Sequence, residues 1–121
     1  MLKLLEETLQ FKFDNEIAIL KYEGKIIFEN SNQLKEEIKN LLSKKEKIKK
    51  IILDLSQVFH LDSAGVGVII SLFRFIRKKG GSLVAVNLNE QVRKVFKITK
   101  MEKIIPIVEN IEQAVNEKIS L

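Results

Sequence analysis

The chain has 121 residues, 45% hydrophobic and 31% charged, which suits one domain with a single core and leaves little room for a second. It contains no cysteine and one histidine, His60, which excludes disulfides, thiolate metal sites and histidine-rich metal centres. The net charge is +5, and the cluster Lys44, Lys45, Lys47, Lys49 and Lys50 has neither arginine nor an interleaved aromatic, so it reads as a solvated loop rather than a nucleic-acid or acidic-lipid footprint.

No apolar run approaches the ~18 residues of a membrane span. The start, Met1 to Glu7, is short and acidic and lacks the features of a secretory signal. A cytoplasmic protein with no membrane or direct nucleic-acid partner is expected.

Thr8 to Phe13 can form a strand with Leu9, Phe11 and Phe13 on one side. Asp14-Asn15 is a plausible turn into a second strand, Glu16 to Tyr22, whose two faces both carry apolar residues. Gly24 is expected to break that run. From Ser31 to Ser43 the period becomes helical, with Leu34, Ile38, Leu41 and Leu42 on one face. Asn30 is the expected N-cap and Gln33 its capping-box partner.

Lys50 to Ser56 is dense in isoleucine and leucine and reads as a central strand buried on both faces. A helix follows from Ser63 to Lys79, closed by Gly80-Gly81. Leu83 to Val86 is another buried strand, and Asn89 to Thr99 a helix with Val92, Val95, Phe96 and Thr99 inward. Ile104 to Val108 gives a short strand, which Pro106 assigns to an edge. Asn110 to Lys118 closes the chain as a helix bearing Ile111, Ala114, Val115 and Ile119. The expected fold is α/β, with about five strands and four helices in the order β-β-α-β-α-β-α-β-α, and a mostly parallel sheet with one antiparallel entry.

The stretch that carries chemistry runs from Ile51 to Ile69. A buried strand ends, a loop follows, and Asp62-Ser63 opens a helix rich in small residues: Ala64, Gly65 and Gly67. Two glycines in the first turns cost about 1 kcal/mol each against alanine, which makes sense if something approaches the backbone closely. Ser63 could be a simple N-cap, but Asp62 is equally able to cap. A hydroxyl here sits beside free amides and the positive end of the helix dipole, where a phosphate is accommodated. Phosphorylation would add about −1.5 to −2 charges. Gly65, Val68, Ile69, Leu72 and Ile76 make a core face, with Val66, Ile70 and Phe73 as a second apolar stripe beside it. A broad buried face would explain that stripe; a docking role would leave Val66 exposed as an apolar anchor.

This stretch resembles the signature of the STAS family, and of its anti-sigma factor antagonists in particular. The family pattern of a strand with Asp-Leu, leading to Asp-Ser-[Ser/Ala]-Gly-[Leu/Val]-Gly, is met by Asp54-Leu55 and by Asp62-Ser63-Ala64-Gly65-Val66-Gly67. Tyr22 to Ile26, Gly80 to Val84, and Val92 to Phe96 with Thr99 extend the likeness, so that 1–121 reads as one STAS domain. The resemblance implies that Ser63 is a phosphorylation site. It implies a partner that is both anti-sigma factor and serine kinase, of the histidine-kinase-like ATPase fold. Binding by the unphosphorylated protein would release a sigma factor, phosphorylation would end binding, and a PP2C-type phosphatase would reset it. The protein itself would be no enzyme and hold no cofactor or metal.

Asp62, Ser63, Ala64, Gly65, Val66 and Gly67 are the expected partner surface, joined by Ile27, where family members often carry an acidic or polar residue. The family's Thr-Gly-Leu after the third helix reads Thr99-Lys100-Met101. Two alternatives remain open: a STAS scaffold or transport accessory that is not phosphorylated, and a nucleotide-binding domain. The latter is weakened because Ile70 stands where a third glycine would be needed. A catalytic triad would need His60 as its base, and a lone histidine in a loop is more often simply exposed or packed, with no nucleophile-plus-acid set evident.

Overall fold

The computed structural model describes residues 8–116. The opening Met1 to Glu7, and the end of the last helix with Lys118 and Ile119, lie outside the described residues.

The first two strands, β1 (Thr8–Asp14) and β2 (Ile17–Ile26), form an antiparallel hairpin in which Asp14 faces Ile17. The turn therefore falls on Asn15 and Glu16, one residue later than the sequence suggested, with Asn15 at φ 55°. Asparagine is among the few residues that tolerate that left-handed conformation.

Gly24 does not break β2. It adopts φ 135°, the pairing register shifts beside it, and the strand runs on to Ile26. Without a Cβ the backbone can bend at this point and keep pairing. The bend has a topological consequence. Before it, β2 pairs in parallel with β3 (Lys50–Asp54); from Gly24 onward it pairs in parallel with β4 (Val58–Leu61).

The first helix, α1 (Phe28–Ser43), starts three residues earlier than expected. Ile27 occupies the N-cap and Asn30 lies inside the first turn, where its Oδ1 accepts the Ile27 N–H at 2.9 Å. Asn30 thus ties the helix start from the reverse direction, and Gln33, the expected capping partner, is exposed. Strand β3 ends at Asp54 because the Asp54 carboxylate turns the chain, accepting the Ser56 N–H at 2.9 Å. The sequence reading missed β4, which has two exposed positions, Phe59 and His60, between buried Val58 and Leu61.

The remaining elements are α2 (Ser63–Lys78), β5 (Ser82–Val86), α3 (Glu90–Ile98), a short 3-10 helix (Met101–Lys103), β6 (Ile107–Val108) and α4 (Ile111–Asn116). The sheet order is β1-β2-β3-β5-β6, parallel from β2 onward, with β4 attached to β2 off this path. Pro106 immediately precedes β6, which lies at the edge.

Strands β3 and β5 are covered on both faces, as their apolar density required. On one face Ile51, Leu53, Leu83 and Ala85 pack with Leu34, Ile38 and Leu42 of α1, Val68, Ile69, Leu72 and Ile76 of α2, and Phe96 of α3. On the other, Ile52, Val84 and Val86 meet Ala114 of α4. Fully burying each of these large aliphatic side chains contributes about 1.5–3 kcal/mol relative to exposure. Lys100 sits at φ 62° just beyond the C-cap of α3.

Candidate functional site: the junction of two helix starts

The site begins with strand geometry. The late part of β2 and the whole of β4 run parallel and end together, at Ile26 and Leu61. Each then feeds a helix, α1 from β2 and α2 from β4. Two helix N-termini, each with unsatisfied amides and a partial positive charge, are thereby brought side by side.

Asp62 resolves both. Its Oδ1 accepts the Gly65 N–H at 2.9 Å, capping α2, and its Oδ2 accepts the Phe28 N–H at 3.0 Å, capping α1. The Gly65 N–H holds the Asp62 carboxyl below its ordinary pKa; burial opposes this, while the Phe28 and Ala64 amides and nearby His60 add to the lowering. Asn30 supports the same corner from the other side, its Nδ2 donating to the Lys25 carbonyl at 2.7 Å and to the Tyr22 hydroxyl at 3.0 Å.

With Asp62 as the cap, Ser63 becomes the first residue of α2 and is exposed. Its hydroxyl is thus spared the capping role that the sequence left open between the two residues. Ala64 is half-buried beside it. Ile27 is also half-buried, and joins this corner through its neighbour Phe28, whose amide Asp62 binds.

The two glycines of the motif have different duties. A Cβ on Gly65 would overlap the Ile26 carbonyl oxygen and stand 2.6 Å from Leu61 Cδ1. The close approach that Gly65 permits is therefore made by the protein's own β2 and β4. A Cβ on Gly67 would meet nothing within 4 Å, and Gly67 is exposed. Of these two glycines, Gly67 is the one whose backbone is open to an outside molecule.

Val66 corrects the sequence reading. It is 9% exposed and belongs to the main core with Val58 and Leu61. The start of α2 buries two adjacent positions, 65 and 66, because its broad inner face packs into that core. The exposed apolar residues at this end are instead Phe28, 77% exposed at the first position of α1, and Phe59, 48% exposed on β4.

The sequence reading also missed Asn89. Its Oδ1 accepts the Val92 N–H at 2.9 Å and caps α3, while its Nδ2 donates to the Val58 carbonyl at 2.7 Å and lies 3.3 and 3.4 Å from the Ser56 and Leu55 carbonyls. One side chain thus clamps the loop that leads through β4 to Ser63. Nearby, Asn87 donates to the buried Asp54 at 3.1 Å. The only local signal was an asparagine at a helix start; its second role depends on a loop 31 to 34 residues away.

Comparison with known proteins agrees with this arrangement. The STAS domain model matches residues 8–114. A Thermotoga maritima protein provisionally named an anti-sigma factor antagonist is 30% identical over 107 residues, covering 88% of this chain and 94% of that protein. A crystal structure of a Thermotoga maritima protein under the same provisional name superposes with a TM-score of 0.81 at 29% identity, over 89% of this chain and 92% of that one. The Bacillus cell fate determinant SpoIIAA in its phosphorylated form gives a TM-score of 0.68 over 90% of this chain and 97% of that one, with 19% identity, a likeness of fold alone. A mostly parallel sheet that lifts an aspartate-capped serine helix to its rim, in a chain whose residues 8–114 match the STAS domain model, makes this protein a member of the STAS domain family, homologous to anti-sigma factor antagonists.

Proposed function

We propose that this protein is a cytoplasmic, non-enzymatic anti-sigma factor antagonist switched by phosphorylation of Ser63. In this reading the unphosphorylated face around Asp62, Ser63, Ala64 and Gly67, with Ile27 at its border, binds an anti-sigma factor that is also a serine kinase of the histidine-kinase-like fold, and so frees a sigma factor. The kinase then transfers the γ-phosphoryl group of its ATP. The Ser63 oxygen bonds to phosphorus, the bond to ADP breaks, and the hydroxyl proton leaves to a base on the kinase. A PP2C-type phosphatase would reverse the modification.

The observation that carries this reading is the exposed Ser63 at the first position of α2, with the cap supplied by Asp62. A phosphate there would add about −1.5 to −2 charges beside the Asp62 carboxylate, which the two helix amides keep ionised. A docked partner would meet both bulk and charge. The buried Val66 and the internally packed Gly65 support this face from beneath rather than contact the partner.

The test combines the purified chain, its anti-sigma kinase and ATP, read by intact mass. Wild type is expected to gain one phosphoryl group and Ser63→Ala none. Ser63→Asp should weaken partner binding about tenfold or more, an effect of about 1.4 kcal/mol. Absence of phosphoryl transfer to Ser63, or equal affinity for wild type and Ser63→Asp, would remove the switch.

A further inference from the structure

We propose that the groove between α1 and α2 is a docking site for an acidic helix of the partner, continuous with the Ser63 face. Naming the anti-sigma factor as that partner rests on the antagonist reading; the chemistry of the groove does not.

Two hollows, of about 210 Å³ and 370 Å³, lie along the helix pair and share Gly67 in their walls. Lys35 and Ala64 line the first, and Lys39, Ser71, Arg74 and Lys78 the second. The four cations come as two pairs, each one helical turn apart: Lys35 with Lys39 on α1, and Arg74 with Lys78 on α2. Among the described residues no carboxylate lines either hollow. Like charges one turn apart work against the helices that carry them, and here two such pairs face one groove. A ligand of opposite charge would compensate what the walls do not.

Gly67 gives the groove its depth. Nothing among the described residues approaches its Cβ position, so packing there does not require glycine, and glycine is a poor helix former. Its bare backbone admits a second backbone. From Ala64 to Lys78 the groove extends about 21 Å at the helical rise of 1.5 Å per residue, the length of a four-turn helix. Carboxylates spaced one turn apart on such a helix would meet the cation pairs.

Other anionic occupants fit less well. A lipid surface is too flat to enter a hollow between two helices. A nucleobase would need an open aromatic face, and the Phe75 ring is already met by Lys39 at 6.0 Å and Lys79 at 5.5 Å. The geometry also bears on the switch. Ala64 lines the groove directly after Ser63, so an acidic helix seated there ends against the phosphorylated position and is repelled by the added dianion.

The test is titration calorimetry of the full chain with its anti-sigma factor at low and physiological salt. Arg74→Glu with Lys78→Glu is expected to weaken binding about tenfold or more and to flatten its salt dependence. Gly67→Leu is expected to weaken binding comparably while the thermal midpoint holds or rises, which separates a blocked groove from a damaged fold. Lys45→Glu with Lys47→Glu, outside the groove, is expected to change affinity by less than about twofold; an equal loss there would mean general charge attraction and overturn the proposal.

Unchanged affinity in the Arg74/Lys78 variant also overturns the groove, and leaves the antagonist reading standing if Ser63→Asp still loses binding. A loss in that variant with none in Ser63→Asp keeps the groove and removes the switch. If wild type forms no complex at all, the antagonist reading fails, and a glutamate-rich helical peptide followed by NMR decides the groove. Shifts confined to the amides of Gly67, Ser71, Arg74 and Lys78 support it, and shifts centred on Lys44 to Lys50 overturn it.

Discussion

The middle of the sheet and the rim at the ends of β2 and β4 are held by different forces. In the middle, Ile51, Ile52, Leu83 and Val84 are fully buried and sit between helices on both faces. At the rim, a few directed hydrogen bonds from Asp62, Asn30 and Asn89 decide where an exposed serine stands. Burial is non-directional and large, whereas a hydrogen bond is worth little net but fixes position. The fold and the site are therefore separable by mutation.

The largest effect is expected in the middle. Leu83→Ala should cost about 2–5 kcal/mol in urea unfolding, through lost burial and the cavity left behind. A cost below about 1 kcal/mol would mean that β5 is not at the packed centre of the sheet.

The two glycines of α2 sharpen the contrast within one helix. Gly65→Ala drives a methyl group into the Ile26 carbonyl and Leu61, and should destabilise by about 1–3 kcal/mol despite alanine's better helix propensity. Gly67→Ala meets open space and should stabilise by up to about 1 kcal/mol. Paired thermal melts check the opposite signs.

Asn89→Ser tests the rim alone. Serine keeps an acceptor for the Val92 amide but cannot reach the Val58 carbonyl, so a loss of about 1–2 kcal/mol is expected. Hydrogen exchange should quicken at the Gly24 amide, which donates to Gln57 of the clamped loop, more than in the centre of β3. Uniform quickening would assign Asn89 to the global fold instead.

The smallest effect is expected from Asp62, and it is confined to acid. Its folded-state pKa lies below the unfolded value, so the unfolded chain binds more protons in that window. The stabilisation is present above about pH 4 and is lost as pH falls through the folded-state pKa. The stability gap between wild type and Asp62→Asn should therefore close on acidification. A gap independent of pH would show that ionised Asp62 contributes nothing.

Much of this was readable from local pattern. The apolar runs of β3 and β5, the period of α1 and α2, the edge placement required by Pro106 and the small-residue motif after Asp62 all follow from spacing and residue type. Short segments were less legible. Strand β4 hides because Phe59 and His60 face outward and only Val58 and Leu61 are buried. The start of α1 was misplaced because its N-terminal partner is not a neighbouring cap but Asp62, 34 residues away.

By itself the sequence determined the class of fold and the two-sided burial of the central strands, since periodicity and turn chemistry act over a few residues, while Ser63 stood out through its likeness to the family motif. Only the tertiary structure decided which of Asp62 and Ser63 caps the helix, that Val66 is core, and that Gly65 serves the fold while Gly67 faces out. Those outcomes depend on which strand end lies against which helix start, and contacts between residues distant in the chain are set only when the sheet closes.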